Sequence, residues 1–348
     1  MNRLRFTAAL ALVCGFVSGA KAADLLYTLE ATATLPSTDT DWDYAKMQPN
    51  SSRLFIARDK DGLTVFDVDT NKVVTTVTNS VGANGPILVP EFNRGYVANV
   101  DGTLLIFDLK TLETLERRKL DDGFLNSGIY EPSTKRVHVI TGSRPKESHW
   151  YTLDAATGKL IGKKAFPFQK MDDPSFDGKG RIFAPARRDS LIVVLDATTL
   201  AEKARWPIGC NVSKVLYQAT TNRVLGACLS NDNPLFFALD ADTGRIVSRV
   251  KIGRGIDGFV IDHKRQRIVT SNGVDGTLSV IGQRGADNYS LLGTVGTRPG
   301  ARMMHMDQRT GRLLVVNADH TILPAAPGGE EKPVYHPNSF VVLTYQPR

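Results

Sequence analysis

The chain has 348 residues, with 43 Lys and Arg against 36 Asp and Glu, which gives a formal charge of +7. Hydrophobic residues make up 42% and charged residues 23% of it, a balance that excludes disordered and fibrous proteins. Three cysteines are too few for a disulfide-rich scaffold. The length would ordinarily suggest two domains, although closed all-β folds can use it as one.

The first 22 residues have the features of a secretory signal peptide. Arg3 and Arg5 begin it, an apolar run over residues 6–17 follows, and Ala20-Lys21-Ala22 has the small-x-small pattern of a cleavage site. The run is shorter than the ~20 apolar residues of a membrane span. We therefore expect cleavage after residue 22, export to the periplasm of a bacterium, and no membrane span. Residues 23–348 would form one domain with a formal charge of +4, too weak to indicate a nucleic-acid partner.

The rest of the chain is a repeat. Seven short β-rich runs each begin with an arginine, and the intervals between these arginines are 41 to 45 residues. Most units continue with a second β-rich run that closes near an aspartate, such as Asp67 or Asp108, and then a third run. Another run precedes each arginine, so each unit predicts four short strands separated by turns. The seven arginines are Arg53, Arg94, Arg136, Arg181, Arg223, Arg267 and Arg312.

Four-stranded units with this period predict an all-β fold, a seven-bladed β-propeller with antiparallel blades. The last unit has no outer strand of its own before the chain ends, and residues 25–35 form a strand without a hairpin partner. We therefore expect the N-terminal strand to complete and close the last blade. A closed ring packs every blade against a neighbour and leaves no open sheet edge along the ring.

The units resemble the YVTN-type β-propeller repeat, as in RGYVANVDGTLLIFDLKTLE from Arg94 and RIVTSNGVDGTLSVIG from Arg267. More narrowly the chain is similar to the bacterial exported YncE-like proteins, through DWDYA at 41–45, ARWP at 204–207 and GARMMHMD at 300–307. The resemblance covers nearly all of residues 23–348. It implies the propeller fold, but no activity, because propellers carry unrelated functions.

Polar residues recur at the position where the innermost strand of each blade should enter the central channel. They lie ten residues before each repeat arginine, or nine in the fourth unit, where the turn is shorter. Seven polar side chains would then converge at one channel mouth and form a ligand-binding ring. The ring consists of Asp43, Asn84, Asn126, Asp172, Ser213, Asp257 and Arg302.

Two ligand chemistries fit this ring, and solvation of a water-filled channel is the alternative without a ligand. In the first, the acids receive an amine while Arg302 holds a carboxylate through its planar guanidinium. In the second, Asp43, Asn126, Asp172 and Asp257 supply hard oxygen ligands to Ca²⁺ or Mg²⁺. A metal-dependent hydrolase or lactonase would then polarise a carbonyl and activate water.

No catalytic motif accompanies the ring: GxSxG, HExxH and glycine-rich phosphate loops are absent from the sequence. The sequence favours a non-catalytic, exported binding protein, a monomer, whose partner is a small molecule or another exported protein. No cofactor is indicated apart from the Ca²⁺ or Mg²⁺ of the alternative. Acids and bases are mixed around the mouth without an aromatic stacking series, which argues against nucleic acid.

Cys210 and Cys228 are the pair that remains after removal of the signal peptide. An antiparallel hairpin turning at residues 220–222 would place Cys228 opposite residue 213, three residues from Cys210. A disulfide would pin the loop that enters the channel, if the two Cα atoms come within about 7 Å. Two buried free thiols are the alternative.

Overall fold

Alternating β-branched and aromatic residues between turn signals fold as strands throughout the described chain. The computed structural model describes residues 25–324 and 332–348, and the predicted signal peptide lies outside them. Seven four-stranded antiparallel sheets form the blades of a propeller ring, which confirms the predicted fold class. None of the helices in the described ranges has the length and hydrophobicity of a transmembrane helix.

The N-terminal strand β1 (Tyr27–Thr34) belongs to the last blade, and the blades that follow it are numbered along the chain. Blades 1 to 3 each contain four consecutive strands, from innermost to outermost. Blade 1 has β2 (Trp42–Met47), β3 (Arg53–Arg58), β4 (Gly62–Asp67) and β5 (Lys72–Thr76); blade 2 has β6 (Ala83–Val89), β7 (Arg94–Asn99), β8 (Thr103–Asp108) and β9 (Thr114–Lys119); blade 3 has β10 (Leu125–Glu131), β11 (Arg136–Thr141), β12 (Ser148–Asp154) and β13 (Leu160–Phe166).

Blades 4 to 6 repeat this order. Two short 3-10 helices connect strands, one in blade 2 at Pro90–Phe92 and one in blade 4 at Arg187–Asp189. Blade 4 has β14 (Ser175–Phe176), β15 (Arg181–Ala186), β16 (Leu191–Asp196) and β17 (Glu202–Pro207); blade 5 has β18 (Val215–Gln218), β19 (Arg223–Ala227), β20 (Leu235–Asp240) and β21 (Ile246–Lys251); blade 6 has β22 (Ile256–Asp262), β23 (Arg267–Asn272), β24 (Thr277–Gln283) and β25 (Tyr289–Gly296).

Blade 7 closes the ring with strands from both ends of the chain. Its order is β26 (Met303–Asp307), β27 (Arg312–Asn317), β30 (Val341–Pro347) and β1, with a small hairpin of β28 (His320–Ile322) and β29 (Pro333–Tyr335) inserted before β30. β1 pairs antiparallel with β30 from Tyr27 opposite Pro347 to Thr34 opposite Val341. The predicted closure by the N-terminal strand is confirmed.

The buried side chains form seven hydrophobic clusters, and each cluster lies between two neighbouring blades. One joins the first blade to the last, where Leu54 and Phe66 pack with Leu314 and Val342. The outermost strands are exposed, as in β5, where all five residues face solvent. The core therefore lies between blades, and a single blade would leave both of its apolar faces in water.

The repeat arginines are explained by contacts between blades. Each begins the second strand of its blade, and in the first five blades it lies opposite the aspartate that ends the third strand. Several of them donate to a backbone carbonyl of the next blade: Arg53 to Leu109 O at 2.8 Å, and Arg181 to Ala241 O at 2.6 Å. The arginine period thus reflects hydrogen bonds that join neighbouring blades.

The aspartate that ends the third strand organises the turn after it. In five blades its Oδ1 accepts the backbone N–H of a threonine three residues later, at 2.8 to 3.0 Å. Such side-chain acceptors fix a tight turn without using the sheet ladder. The pairs are Asp67–Thr70, Asp108–Thr111, Asp154–Thr157, Asp196–Thr199 and Asp240–Thr243.

Candidate functional site

The seven ring residues predicted from the sequence all line one cavity at the mouth of the channel. This mouth cavity has a volume of about 380 Å³. Each ring residue comes from a different blade, at or just before the start of its innermost strand. The structure thus brings together every predicted ring residue: Asp43, Asn84, Asn126, Asp172, Ser213, Asp257 and Arg302.

Local irregularities of the innermost strands aim four of these side chains. The strand register shifts at Asn84, at Asn126 and at Asp257, and a fourth shift includes Asp43. A β-bulge inserts one residue without a partner and re-aims its side chain, and such bulges are frequent beside functional sites. Glycine follows directly at Gly85, where a Cβ would lie 2.5 Å from Asn126 O, because the innermost strands of neighbouring blades approach closely there.

Blade 4 departs most from the repeat, and this departure carries Asp172 into the cavity. Its innermost strand is reduced to Ser175–Phe176, since Pro174 has no N–H for a longer ladder. The chain before it pairs with blade 5 instead: Asp173 N donates to Ser213 O at 2.9 Å, and Val215 N to Asp173 O at 3.2 Å.

Asp172 is 2% exposed and is saturated by donors. Its Oδ1 accepts hydrogen bonds from Asn126 Nδ2 at 2.7 Å and from the Tyr44 hydroxyl at 3.1 Å. Its Oδ2 lies 3.2 Å from Arg187 Nη1 and 3.3 Å from Lys170 Nζ. Asp172 therefore acts as a structural anchor of the cavity floor.

Asp43 and Asp257 differ from Asp172, because among the described residues neither forms an ion pair. Asp43 Oδ2 accepts a hydrogen bond from Asn84 Nδ2 at 3.2 Å, and Asn84 also donates to Asn126 O at 2.6 Å. Burial, followed by the neighbouring charge of Asp257, raises the pKa of Asp43 to about 8. Burial is also the main cause that raises the pKa of Asp257. Both residues are half-buried and line the cavity.

Arg302 lines the cavity and is anchored by contacts with Asp41 and Trp42. Its Nη2 donates to Asp41 Oδ1 and to Trp42 O, both at 2.6 Å. Its guanidinium also lies 5.1 Å from the centre of the Trp42 ring, within the range of a cation–π contact. The predicted role of Arg302 as a clamp for a carboxylate has less support in this geometry, because one of its three nitrogens is already committed.

The ring predicted from sequence missed the charges that flank it. Lys170, Arg187 and Lys214 line the cavity with Asp41, Asp59 and Asp173, so six aspartates and four basic residues surround it. Asp41 and Lys170 lie two residues before a ring residue, and Asp173 and Lys214 directly after one. A search that extended two residues to each side of the ring would have found these four. Arg187 directly follows β15, outside the innermost strands, and it is one of the mixed charges that the sequence placed around the mouth.

The metal alternative fits this arrangement poorly. Among the residues that the structure describes, no group of three or more His, Cys, Asp or Glu side chains is placed to hold a metal ion. Both carboxylate oxygens of Asp172 are engaged by protein donors, and Asn126 turns its amide N–H, not its oxygen, toward that carboxylate. Ca²⁺ or Mg²⁺ would have to displace these contacts before it could bind the oxygen atoms of Asp172.

Residues 318–324 and 332–338 pack beside the mouth cavity. Tyr335 from β29 is 7% exposed and lies 4.6 Å, centre to centre, from the Trp42 ring, which borders the cavity. Burial raises the pKa of Tyr335 to about 12, so its hydroxyl stays neutral. Residues 325–331 lie outside the described chain. The described part of the segment buttresses the rim and leaves the cavity open.

Cys210 and Cys228 form a disulfide, with Sγ–Sγ at 2.03 Å and Cα–Cα at 5.5 Å. The predicted register is confirmed, since Val215 pairs with Gly226 and places Cys228 just beyond β19. The bond pins the loop that leads from β17 to Ser213 and Lys214, two residues of the cavity wall. The disulfide therefore links blade 5 to the loop that lines the mouth cavity.

We expect removal of this disulfide to destabilise the protein by about 3 kcal/mol, because it closes a loop of 18 residues. Urea denaturation of the Cys210→Ser, Cys228→Ala double variant should show this loss. Dithiothreitol should lower the midpoint of the unmodified protein and leave that of the double variant unchanged. Equal midpoints for the two proteins under oxidising conditions would contradict the expectation.

Comparisons with known proteins identify the fold and go no further. No protein-family model matches the chain, and no curated protein matches it. It is similar to a chain in a solved structure described as "Crystal Structure of Mitotic Checkpoint Complex", with a TM-score of 0.68, 14% sequence identity and 98% of each chain covered. At this identity the likeness shows the propeller fold alone. The resemblance to YVTN-type and YncE-like proteins stays a prediction.

Proposed function

We propose that this protein is an exported, non-catalytic binding protein whose mouth cavity takes a small polar molecule bearing an ammonium group. The observation that carries the proposal is the pair Asp43 and Asp257. These two carboxyl groups reach the cavity from strand bulges and have no cationic partner among the described residues. The propeller fold is consistent with a binding scaffold, and the disulfide and the signal-like N-terminal sequence support export.

The charge balance of the cavity favours a cation over an anion. Each of the four basic residues in its wall has an aspartate within 4 Å: Lys170 and Arg187 pair with Asp172, Arg302 with Asp41, and Lys214 with Asp173. Asp43, Asp59 and Asp257 also line the cavity and form no ion pair among the described residues. A ligand ammonium would supply the missing counter-charge and donate hydrogen bonds to carboxylates in a partly desolvated site.

Burial and the neighbouring Asp257, which raise the pKa of Asp43, would also favour binding of a cationic ligand. A carboxylate that is buried near another acid is costly to ionise, and a bound cation removes that cost. The cavity volume of about 380 Å³ is within the range of small-molecule sites and large enough for a short polar ligand.

Three four-carbon compounds that differ in charge test this function: 1,4-diaminobutane, 1,4-butanediol and succinate. At pH 8, we expect the diamine to stabilise the protein against thermal unfolding, by about 2.7 kcal/mol at a concentration 100 times its Kd. Butanediol and succinate should have no comparable effect. Asp257→Asn should weaken diamine binding at least tenfold, because it removes one carboxylate while keeping the side-chain shape.

Asp39→Asn is the matched control, since Asp39 is exposed and paired with Lys60 away from the cavity. This variant should bind the diamine like the unmodified protein. Stabilisation by succinate instead, or equal affinity of Asp257→Asn and the unmodified protein, would refute the proposed ligand class. Stabilisation by Ca²⁺ or Mg²⁺ that is lost in Asp172→Ala would favour the metal alternative.

A further inference from the structure

A second cavity lies at the opposite ends of the same innermost strands. This far cavity has a volume of about 520 Å³ and is lined by the later residues of β2, β6 and β10, together with β14 and β18. Asp173 lines both cavities, so they meet at this residue inside the channel. Nothing in the proposed function uses the far cavity.

The wall of the far cavity is apolar, in contrast to the mouth cavity. Ile87, Ile129, Phe176 and Leu216 contribute to it, and all but Ile87 and Ile129 are partly exposed. Five prolines complete the wall, and proline has no backbone N–H to offer a polar ligand. They are Pro49, Pro86, Pro90, Pro132 and Pro174.

The inner end of the far cavity contains Lys46, whose ion-pair partner Asp173 is shared with Lys214 of the mouth cavity. Lys46 and Lys214 share one aspartate, Asp173, and each Nζ lies 3.5 Å from its Oδ2. An ammonium has three N–H donors, so most of the donors of these lysines have no acceptor among the described residues. His305 is neutral and adds no further positive charge, because burial and the two lysines lower its pKa to about 3.

The other charge of the wall lies at the rim and is already matched. Glu91 is paired with Lys135 at 3.4 Å and accepts a hydrogen bond from the Tyr130 hydroxyl. The far cavity therefore combines an apolar wall with one unbalanced cation, Lys46, at its inner end. Apolar sites with few, well-placed polar groups are typical of small-molecule pockets, and the polar group fixes the orientation of the ligand.

We propose that the far cavity binds a straight-chain apolar carboxylate, with the hydrocarbon chain along the apolar wall and the carboxylate against Lys46. Burial of each CH₂ group supplies affinity. The charge-assisted hydrogen bond to Lys46 supplies the preference for a carboxylate over a neutral head group. This site is separate from the proposed ammonium site.

Octanoate and 1-octanol test the proposal, because they share a chain length and differ in the head group. In calorimetric titrations of the full chain at pH 7, we expect octanoate to bind at least tenfold more tightly than octanol. Lys46→Met keeps the length of the side chain and leaves Asp173 paired with Lys214, so it should abolish this preference. Leu216→Gln should weaken both compounds by a similar factor, since it changes only the wall.

Thermal unfolding of each variant checks that it is folded, and Asp257→Asn serves as the control for the other cavity. It should bind octanoate like the unmodified protein. The proposal is overturned if octanoate does not bind, if octanol binds equally well, or if Lys46→Met keeps the preference. It is also overturned if Asp257→Asn loses octanoate, because the ligand would then occupy the mouth cavity.

Discussion

The Asp43→Asn variant should be more stable than the unmodified protein above pH 8. The folded pKa of Asp43, about 8, lies well above the ordinary value of 3.8, so the folded state holds this proton more tightly than the unfolded chain. Between these two values, ionisation of the unfolded chain makes stability fall with rising pH, by up to about 1.4 kcal/mol per unit from this one group. Asparagine removes that loss, which amounts to a few kcal/mol at pH 9.

Urea denaturation from pH 4 to pH 9 measures this effect. The two proteins should have similar stability near pH 4, where Asp43 is protonated in the folded state, and should separate progressively up to pH 8. Asp39→Asn should show no such divergence, because that carboxyl group is exposed. The same Asp43→Asn variant should lose affinity for 1,4-diaminobutane. If Asp43→Asn were less stable than the unmodified protein at pH 9, the raised pKa of Asp43 would be contradicted.

Deletion of residues 25–35 should abolish the cooperative unfolding transition. β1 supplies the outermost strand of blade 7 and pairs along the whole of β30, so its loss leaves β30 with an open edge. It also removes contacts with blade 6, where the Tyr27 hydroxyl donates to Asp262 at 2.9 Å and Arg267 donates to Leu26 O at 3.1 Å. The total stability of a folded protein is about 5–15 kcal/mol, and the loss of an entire strand can exceed it.

A synthetic peptide of residues 25–35 makes the deletion experiment decisive. Added in trans, it should restore a cooperative transition and lower the aggregation of the truncated chain, because it can pair with β30 as the native strand does. A peptide with Tyr27→Phe should restore it less well, since Asp262 would lose its hydrogen bond. If the truncated chain unfolds cooperatively at the original midpoint, β1 does not close the ring in the way described.

The positions of the seven ring residues show how much of a site can be predicted from a sequence repeat. Because every blade is built alike, counting back from the repeat arginines reached the same structural position seven times, and all seven residues line the mouth cavity. The count had to be shortened in the fourth unit, and that is where the strand is reduced to Ser175–Phe176. The shorter turn of the fourth unit is visible in the sequence and indicated this change in the count.

The roles of these residues could not be obtained in the same way. Asp43, Asp172 and Asp257 are equivalent in the sequence pattern, yet Asp172 contacts Lys170 and Arg187 while the other two have no such partner in the described chain. Arg302, which was predicted to hold a carboxylate, lines the cavity while its Nη2 is engaged by Asp41 and Trp42. These differences arise from side chains on other loops, which no spacing rule relates to the ring.

The repeat, the number of blades, the closure by the N-terminal strand and the position of the mouth can all be predicted from the amino-acid sequence. Each of these follows from local periodicity, which is written along the chain. Other properties become visible only in the folded protein: the pairing of the acids, the raised pKa of Asp43, the bond between the cysteines, and the second, apolar cavity that meets the first at Asp173. These properties depend on distances between residues from different blades, because charge interactions and burial are set by the spatial surroundings of a group and not by its neighbours in sequence.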